Sequence, residues 1–184
     1  MRRFLALLLF APVGLLACAT GWQVNPSRDY AVVINGMNED QSAIIMGVAS
    51  EWQTTTNGFV TFHGAPSSAW GKAAGNTVTI TINGMPGAEI QHEDGEGVLG
   101  YQIAMGEDSY VQLPNDAPFA SLLAETTRHE LGHTLGLKHT GAGTIMCADI
   151  QCAAQTITCA DVQQLAAVWG CYEGFTNDLA VCDE

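Results

Sequence analysis

The segment 129–139 combines residue types and spacings that suit a bound metal ion. His129 and His133 are four residues apart. On a helix this spacing corresponds to about 400° of rotation, so both imidazoles lie on one face and can bind one ion. His139 follows six residues later and reaches the same ion if the chain turns back. Three imidazoles leave one coordination position for water, which is typical of a catalytic zinc site.

Glu130 and Gly136 complete this pattern. Glu130 follows the first histidine, points aside from the ion and can reach a water beside it, so we predict that it is the general base. Gly136 suits the left-handed conformation that ends a helix, which would return His139 to the metal. A zinc ion here would polarise a carbonyl and lower the pKa of the attacking water. The segment therefore predicts hydrolysis of amide bonds.

These residues resemble the signature of the metzincin clan of metallopeptidases, His-Glu-x-x-His-x-x-Gly-x-x-His followed by a tight turn containing methionine. Residues 143–146 (Gly-Thr-Ile-Met) would form that turn, seven residues after His139. The resemblance implies that Met146 forms a hydrophobic floor beneath the metal without binding it. Thr140 is most similar to the serine of matrixins, and residues 157–170 are similar to the matrixin C-terminal helix. The likeness is very specific at 129–146 and only architectural before residue 100.

Strand and helix patterns alternate along the rest of the chain. Compact β-branched and apolar runs predict strands at 30–34, 59–63, 77–82, 98–103 and 109–113. Helical spacing predicts helices at 38–55, 119–135 and 158–169. We expect an α+β fold of the zincin type, with a twisted mixed sheet of about five strands, an antiparallel edge strand, three main helices and a small irregular C-terminal subdomain.

Polar residues predict where each helix begins, because their side chains can accept hydrogen bonds from the first-turn amides. The predicted starts are Asn38 with Gln41 for the first helix, Asn115, Asp116 and Pro118 for the second, and Thr158 with Asp161 for the third. Along the first helix the apolar residues Ile44, Ile45, Val48 and Trp52 recur at helical spacing through Thr55.

The strand at 98–103 resembles the edge strand along which metzincin substrates lie. An extended peptide would add main-chain hydrogen bonds there, and we place Leu99, Gly100 and Tyr101 on the substrate side. The leading interpretation is a matrixin-like zinc endopeptidase with one catalytic Zn²⁺ and a peptide or protein substrate. Two alternatives remain open, a zinc-containing surface protein that binds a peptide without cleaving it and an exported amidase acting on cell-wall peptides. Glu130 argues against the first, because binding alone requires no base.

The N-terminal residues 1–17 have the pattern of an export signal, with Arg2 and Arg3 followed by an apolar run too short to span a bilayer. Residues 15–18 (Leu-Leu-Ala-Cys) resemble a bacterial lipobox, which predicts lipidation of Cys18 and a tether over 18–28. Ordinary cleavage around Ala17-Cys18-Ala19 also fits. We expect an exported protein, anchored to the cell envelope or secreted.

The mature region 29–184 is expected to be one catalytic domain, with an N-terminal subdomain at 29–136 and a C-terminal subdomain at 137–184. The chain carries six Lys and Arg against nineteen Asp and Glu. Such an acidic surface repels phosphate backbones and anionic lipid, which excludes nucleic acid and leaves the anchor at Cys18 as the membrane contact. We expect a monomer.

An acidic loop contains Glu93, Asp94 and Glu96. These carboxylates suit Ca²⁺ in principle, but their spacing matches no dedicated calcium loop, and a solvated charge run is the favoured interpretation.

Five cysteines lie in the last quarter of the chain: Cys147, Cys152, Cys159, Cys171 and Cys182. Export into an oxidising compartment favours disulfides, and the odd number leaves one cysteine over. Cys147 directly follows Met146, so its thiol could bind the zinc and block the site. A disulfide with nearby Cys152 is the simpler alternative. The sequence does not determine the pairing.

Overall fold

The computed structural model describes residues 28–66, 77–86, 101–105, 108–116, 122–149, 152–170, 174–178 and 182. The predicted signal, Cys18, the acidic loop at 93–96 and the substrate residues Leu99 and Gly100 lie outside the described residues. In the part of the chain that is described, no helix has the length and apolar character needed to cross a membrane.

The described residues form one mixed sheet. Its strands are β1 (Asp29–Asn35), β2 (Thr61–Ala65), β3 (Thr77–Met85), β4 (Tyr101–Met105) and β5 (Asp108–Pro114). They are hydrogen-bonded in the order β2-β1-β3-β5-β4. The first four in this order are parallel to one another, and β4 pairs antiparallel with β5. Four consecutive residues of β1, from 30 to 33, are buried, as is typical of a parallel strand covered on both faces.

Three helices accompany the sheet: α1 (Glu39–Thr55), α2 (Leu123–Thr134) and α3 (Cys159–Trp169). The predicted mixed α/β architecture with three helices is confirmed. The starts of α1 and α3 are also confirmed, because both have a capping box. In α1, the side-chain oxygen of Asn38 accepts from the backbone amide of Gln41, and the side-chain oxygen of Gln41 accepts from the backbone amide of Asn38, each at 2.9 Å. These local bonds satisfy first-turn amides that would otherwise lack partners.

The apolar residues of α1 do not all face the core. Ile45, Val48 and Trp52 are fully or almost fully buried, whereas Ile44 is 40% exposed. Adjacent helix positions differ by about 100°, so Ile44 lies off the stripe that contains Ile45. The indole of Trp52 donates to the carbonyl oxygen of Arg128 at 3.1 Å, which joins α1 to α2 next to His129.

The predicted start of α2 is wrong. The helix begins after Leu122, which makes no side-chain cap hydrogen bond. Asn115 instead lies just after β5. Its side-chain amide donates to the carbonyl oxygen of Gly36 at 2.7 Å, and its backbone carbonyl accepts from the Gln41 side chain at 3.0 Å. Its polar groups therefore join β5 to the residues around the α1 cap. Pro118 lies outside the described residues.

One strand is displaced from its predicted bounds. The strand predicted at 59–63 occupies 61–65, because Phe59 and Val60 are buried in the turn that precedes it. The Phe59 ring packs edge-on against Trp169 and Phe175. Phe59 and Val60 are apolar because they fill the core beside α3. In the sequence, such a pair looks the same as the first two residues of a strand. For the strand predicted at 98–103, the described part is 101–105.

We expect Trp52→Phe to destabilise the protein by about 1–3 kcal/mol, because it removes the hydrogen bond from the indole to the Arg128 carbonyl and reduces the packed volume. Equilibrium unfolding in urea measures this change. Ile44→Ala on the same helix is the control, and its half-exposed side chain predicts an effect within about 0.5 kcal/mol. Equal effects of the two substitutions would contradict the assigned orientation of α1.

Candidate metal centre

The C-terminal end of α2 determines where the chain goes after the second histidine. Gly136 has φ of 88°, a left-handed conformation that costs glycine no steric penalty. Its amide donates to the His133 carbonyl, and the Leu137 amide donates to the Gly132 carbonyl, each at 2.9 Å. Together these bonds form a Schellman motif, which ends the helix and reverses the chain. His139 lies just beyond this reversal.

The structure brings the three predicted histidines together. The Nε2 atom of His139 lies 3.2 Å from that of His129 and 3.1 Å from that of His133. One nitrogen from each of the three rings lies within 4.8 Å of the other two nitrogens. A tetrahedral ion with Zn–N distances of about 2.0–2.1 Å would hold its nitrogen ligands about 3.3 Å apart. The donor set therefore fits a zinc ion.

Backbone carbonyls orient two of the rings. His129 Nδ1 lies 2.7 Å from the carbonyl oxygen of Ile145, and His133 Nδ1 lies 2.9 Å from that of Leu137. Because a carbonyl oxygen only accepts, each Nδ1 carries the proton and donates it. Each Nε2 then presents its lone pair toward the cluster, which is the tautomer that a metal requires.

Burial also holds these imidazoles in their neutral form. Desolvation lowers the pKa of His133 to about 4, and the neighbouring His129 contributes in the same direction. The pKa of His129 is likewise lowered, chiefly by burial. Both rings are therefore unprotonated at neutral pH, as metal ligands must be.

Glu130 lies on the same helix and is only 4% exposed. Among the described residues, its Oε2 atom has no hydrogen-bond partner. Burial raises the pKa of this carboxyl group to about 8. An adjacent divalent cation would favour the charged carboxylate, so an isolated acidic side chain in this position is consistent with a metal at the three histidines.

Met146 packs against the middle of α2. Its side chain is fully buried. A Cβ atom added at Gly132 would lie 2.5 Å from the Met146 sulfur, so the thioether contacts the helix backbone between the two helical histidines. Sequence reasoning missed Gly132, because it occupies a position that the motif leaves free. No signal in a single sequence identifies that close approach.

Backbone hydrogen bonds and a disulfide hold the loop that follows His139 in place. The Thr140 amide donates to the Met146 carbonyl at 2.9 Å, and the Gly143 amide donates to the Cys152 carbonyl at 2.9 Å. A disulfide joins Cys147 to Cys152. The Cys147 sulfur is therefore engaged in a covalent bond, as in the simpler of the two alternatives, and is not a ligand in this structure.

A second disulfide joins Cys159, the first residue of α3, to Cys182. Cys171 lies outside the described residues.

Of the predicted substrate residues, the structure describes the backbone of Tyr101. This residue begins β4 and pairs with Gln112 of β5. β4 is the last strand in the order of the described sheet, and α2 lies beside both β4 and β5. The end strand is thus next to the helix that carries His129 and His133.

Comparison with known proteins gives a structural likeness without a sequence match. No family model matches the chain, and no curated protein matches it. The crystal structure of archaemetzincin from Methanopyrus kandleri aligns with a TM-score of 0.52 at 15% identity, covering 76% of this chain and 94% of that one. Archaemetzincin from Archaeoglobus fulgidus, complexed with malonate, aligns with a TM-score of 0.48 at 15% identity, covering 74% and 99%. The Methanopyrus likeness shows that this chain has an archaemetzincin-like fold.

We expect Gly132→Ala to destabilise the protein by about 1–3 kcal/mol, because the new methyl group overlaps the Met146 sulfur. The shift should also weaken metal binding, since Met146 and the Ile145 carbonyl move together. Unfolding in urea and titration with zinc measure the two effects.

Gly47→Ala in α1 is the matched control. A Cβ atom at Gly47 meets nothing within 4 Å, so alanine should stabilise the helix by about 0.4–1 kcal/mol. If both substitutions were stabilising, the close approach of Met146 to α2 would be refuted.

Proposed function

We propose that the chain is a zinc-dependent endopeptidase in which His129, His133 and His139 bind one catalytic ion and Glu130 is the general base. The observation that carries this proposal is the convergence of three Nε2 atoms, two of them on rings oriented by backbone carbonyls. On the same helix, the buried Glu130 has one carboxylate oxygen, Oε2, without a hydrogen-bond partner among the described residues. Structural zinc sites use four protein ligands, whereas three protein ligands leave a position for substrate or water.

A zinc ion bound at these nitrogens would polarise the scissile carbonyl and lower the pKa of the attacking water. Glu130 accepts the proton of that water as oxygen attacks the carbonyl carbon. The same carboxyl group then delivers the proton to the departing amine nitrogen as the C–N bond breaks. Burial by itself favours the protonated form of Glu130, and a bound divalent cation would favour the charged carboxylate, which is the form that can accept a proton.

For the substrate, we propose an extended peptide lying along the outer edge of β4, near Leu99, Gly100 and Tyr101. Support comes from the place of β4 at the end of the strand order, since an end strand can pair with an added strand. The position of β4 beside α2 would bring such a peptide close to the histidines. An unfolded or loop segment of a protein meets this requirement better than a folded helix does.

Within the metzincin clan, we propose a matrixin-like enzyme. The support is local, from Thr140 after the third histidine and from α3, whose capping box lies where the matrixin-like segment begins. The likeness to archaemetzincin concerns the fold and leaves this grouping as a proposal. We also propose that the enzyme acts as a monomer.

The competing non-catalytic function is a zinc-containing protein that binds a peptide without cleaving it. Burying a carboxyl group that has an unpaired oxygen is costly, and peptide binding gives no reason for it. Glu130 therefore favours turnover. The exported amidase shares all the residues of the site and differs only in its substrate.

We expect Glu130→Gln to bind zinc in the same stoichiometry and to lower kcat by about 10²–10⁴-fold, because the amide cannot accept the proton. His139→Ala should lose the metal, and exposed Lys138→Ala is the control for both variants. Zinc content by mass spectrometry and cleavage of an unstructured protein, with and without chelator, measure the effects.

Full turnover by Glu130→Gln would eliminate the general-base assignment. Chelator-sensitive cleavage of peptidoglycan fragments alone would identify the amidase, and a zinc-loaded wild type that cleaves neither substrate would be a binding protein.

We further propose that the protein is exported and anchored to the cell envelope through lipidated Cys18. The two disulfides in the described part of the chain support an oxidising compartment. We expect the mass spectrum of the mature N-terminal peptide to show acylated Cys18, and Cys18→Ala to release the protein into the medium. An unmodified N-terminus beyond residue 18 would instead establish ordinary secretion.

A further inference from the structure

Asp161 makes more contacts than a helix cap needs. It lies in the first turn of α3 and is completely buried. Its Oδ2 atom accepts hydrogen bonds from the amide and the hydroxyl of Thr158, at 2.9 and 2.6 Å, and from the amide of Ile145 at 3.2 Å. Its Oδ1 atom has no partner among the described residues. The Thr158 bonds belong to the capping box, whereas the Ile145 bond reaches the turn beside the histidines.

Ile145 links Asp161 to His129. Its amide donates to Asp161, and its carbonyl oxygen accepts from His129 Nδ1 at 2.7 Å. The amide and the carbonyl belong to adjoining peptide units, so no polarisation passes directly through a shared peptide group. The effect is geometric, because a fixed amide restricts the direction in which the carbonyl of the same residue points.

We propose that Asp161 is a positioning residue for the metal centre, holding the Ile145 carbonyl where His129 must donate to it and so turning His129 Nε2 toward the other two histidines. This inference rests on the proposed zinc site. Groups that orient a metal-binding histidine through its second nitrogen affect metal affinity without touching the ion. Asp161 would act on His129 in this way through one intervening residue, Ile145.

The burial of Asp161 supports this role. A helix cap can be formed by a half-exposed Ser, Thr or Asp, and the energetic cost of a fully buried carboxylate with one oxygen unpaired is high. The negative charge also acts on His129, whose pKa it raises against the larger effect of burial. Asp161 is therefore electrostatically close to the ring that it is proposed to orient.

A purely structural role in capping α3 is the competing explanation, and Thr158→Ala is the matched control. This substitution removes the hydroxyl of the capping box and leaves the Ile145 amide opposite Asp161. Both Thr158→Ala and Asp161→Ala should lower the melting temperature of the metal-free chain. Only Asp161→Ala should disturb the orientation of His129.

The test measures zinc affinity of the full-length chain by competition with a chromophoric chelator, together with the visible spectrum of the Co²⁺ form. We expect Asp161→Ala to weaken zinc binding by about 10–100-fold and to change the Co²⁺ spectrum, whereas Thr158→Ala stays within about threefold of wild type. Asp161→Asn keeps an acceptor oxygen for the Ile145 amide and should restore most of the affinity.

Unchanged zinc affinity in Asp161→Ala, or an equal loss in Thr158→Ala, would overturn the proposal. If Asp161→Ala does not fold, Asp161→Asn is compared with Asp161→Glu, which keeps the charge but displaces the acceptor by one methylene. The proposal requires the Asn variant to bind zinc more tightly than the Glu variant, and the reverse order rejects it.

The metal-binding control separates this proposal from the proposed function. A wild-type chain that binds no zinc would refute the zinc site itself. A wild type that binds one zinc ion, lost in His139→Ala and unaffected in Asp161→Ala, would refute the positioning role alone.

Discussion

The hydrogen bond from His129 Nδ1 to the carbonyl oxygen of Ile145 is the constraint on which the site depends. It joins the helix that carries two histidines to the turn that contains Met146, and its length of 2.7 Å leaves little freedom for the ring. The bond exists only because the chain reverses after α2, at Gly136, and returns beneath the helix. Gly132 permits that return, because any larger residue would meet the Met146 sulfur. The convergence of the three imidazoles is thus the outcome of a close backbone approach.

Hydrogen bonds made by the neighbouring Arg128 link the elements around this site. Arg128, immediately before His129, is 7% exposed and makes two hydrogen bonds to Glu51 of α1, at 2.7 and 3.1 Å. A third goes to the carbonyl oxygen of Gln155, at 2.7 Å, so one guanidinium joins α1, α2 and the loop before α3. Its rigid fork of donors suits three such acceptors. Glu130 differs from Arg128, because its Oε2 atom is one of several buried side-chain atoms without a partner in the described structure. A carboxylate oxygen left unpaired at high cost beside the histidines is more consistent with chemistry than with stability.

The fold is shared with a protein at 15% identity, while no family model matches the sequence. Sheets and helices tolerate extensive exchange of apolar residues as long as volume and pattern are kept, so overall similarity decays. The metal-binding segment cannot vary in the same way, since an imidazole displaced by one residue on a helix points about 100° away. A local motif therefore remains recognisable in a chain whose overall sequence matches no family.

The sequence by itself determined the features that depend on neighbours along the chain. The spacing of His129 and His133, the capping boxes of α1 and α3 and the left-handed glycine after α2 are all local, and each was predicted from nearby residues. The prediction failed for Asn115, whose side chain bonds to Gly36 at the end of the sheet and does not begin a helix. The contact of Gly132 with Met146 and the reach of Asp161 to Ile145 were decided by the tertiary structure alone. These contacts join residues about fifteen positions apart through a chain reversal, and no periodicity or spacing encodes which side chains then meet.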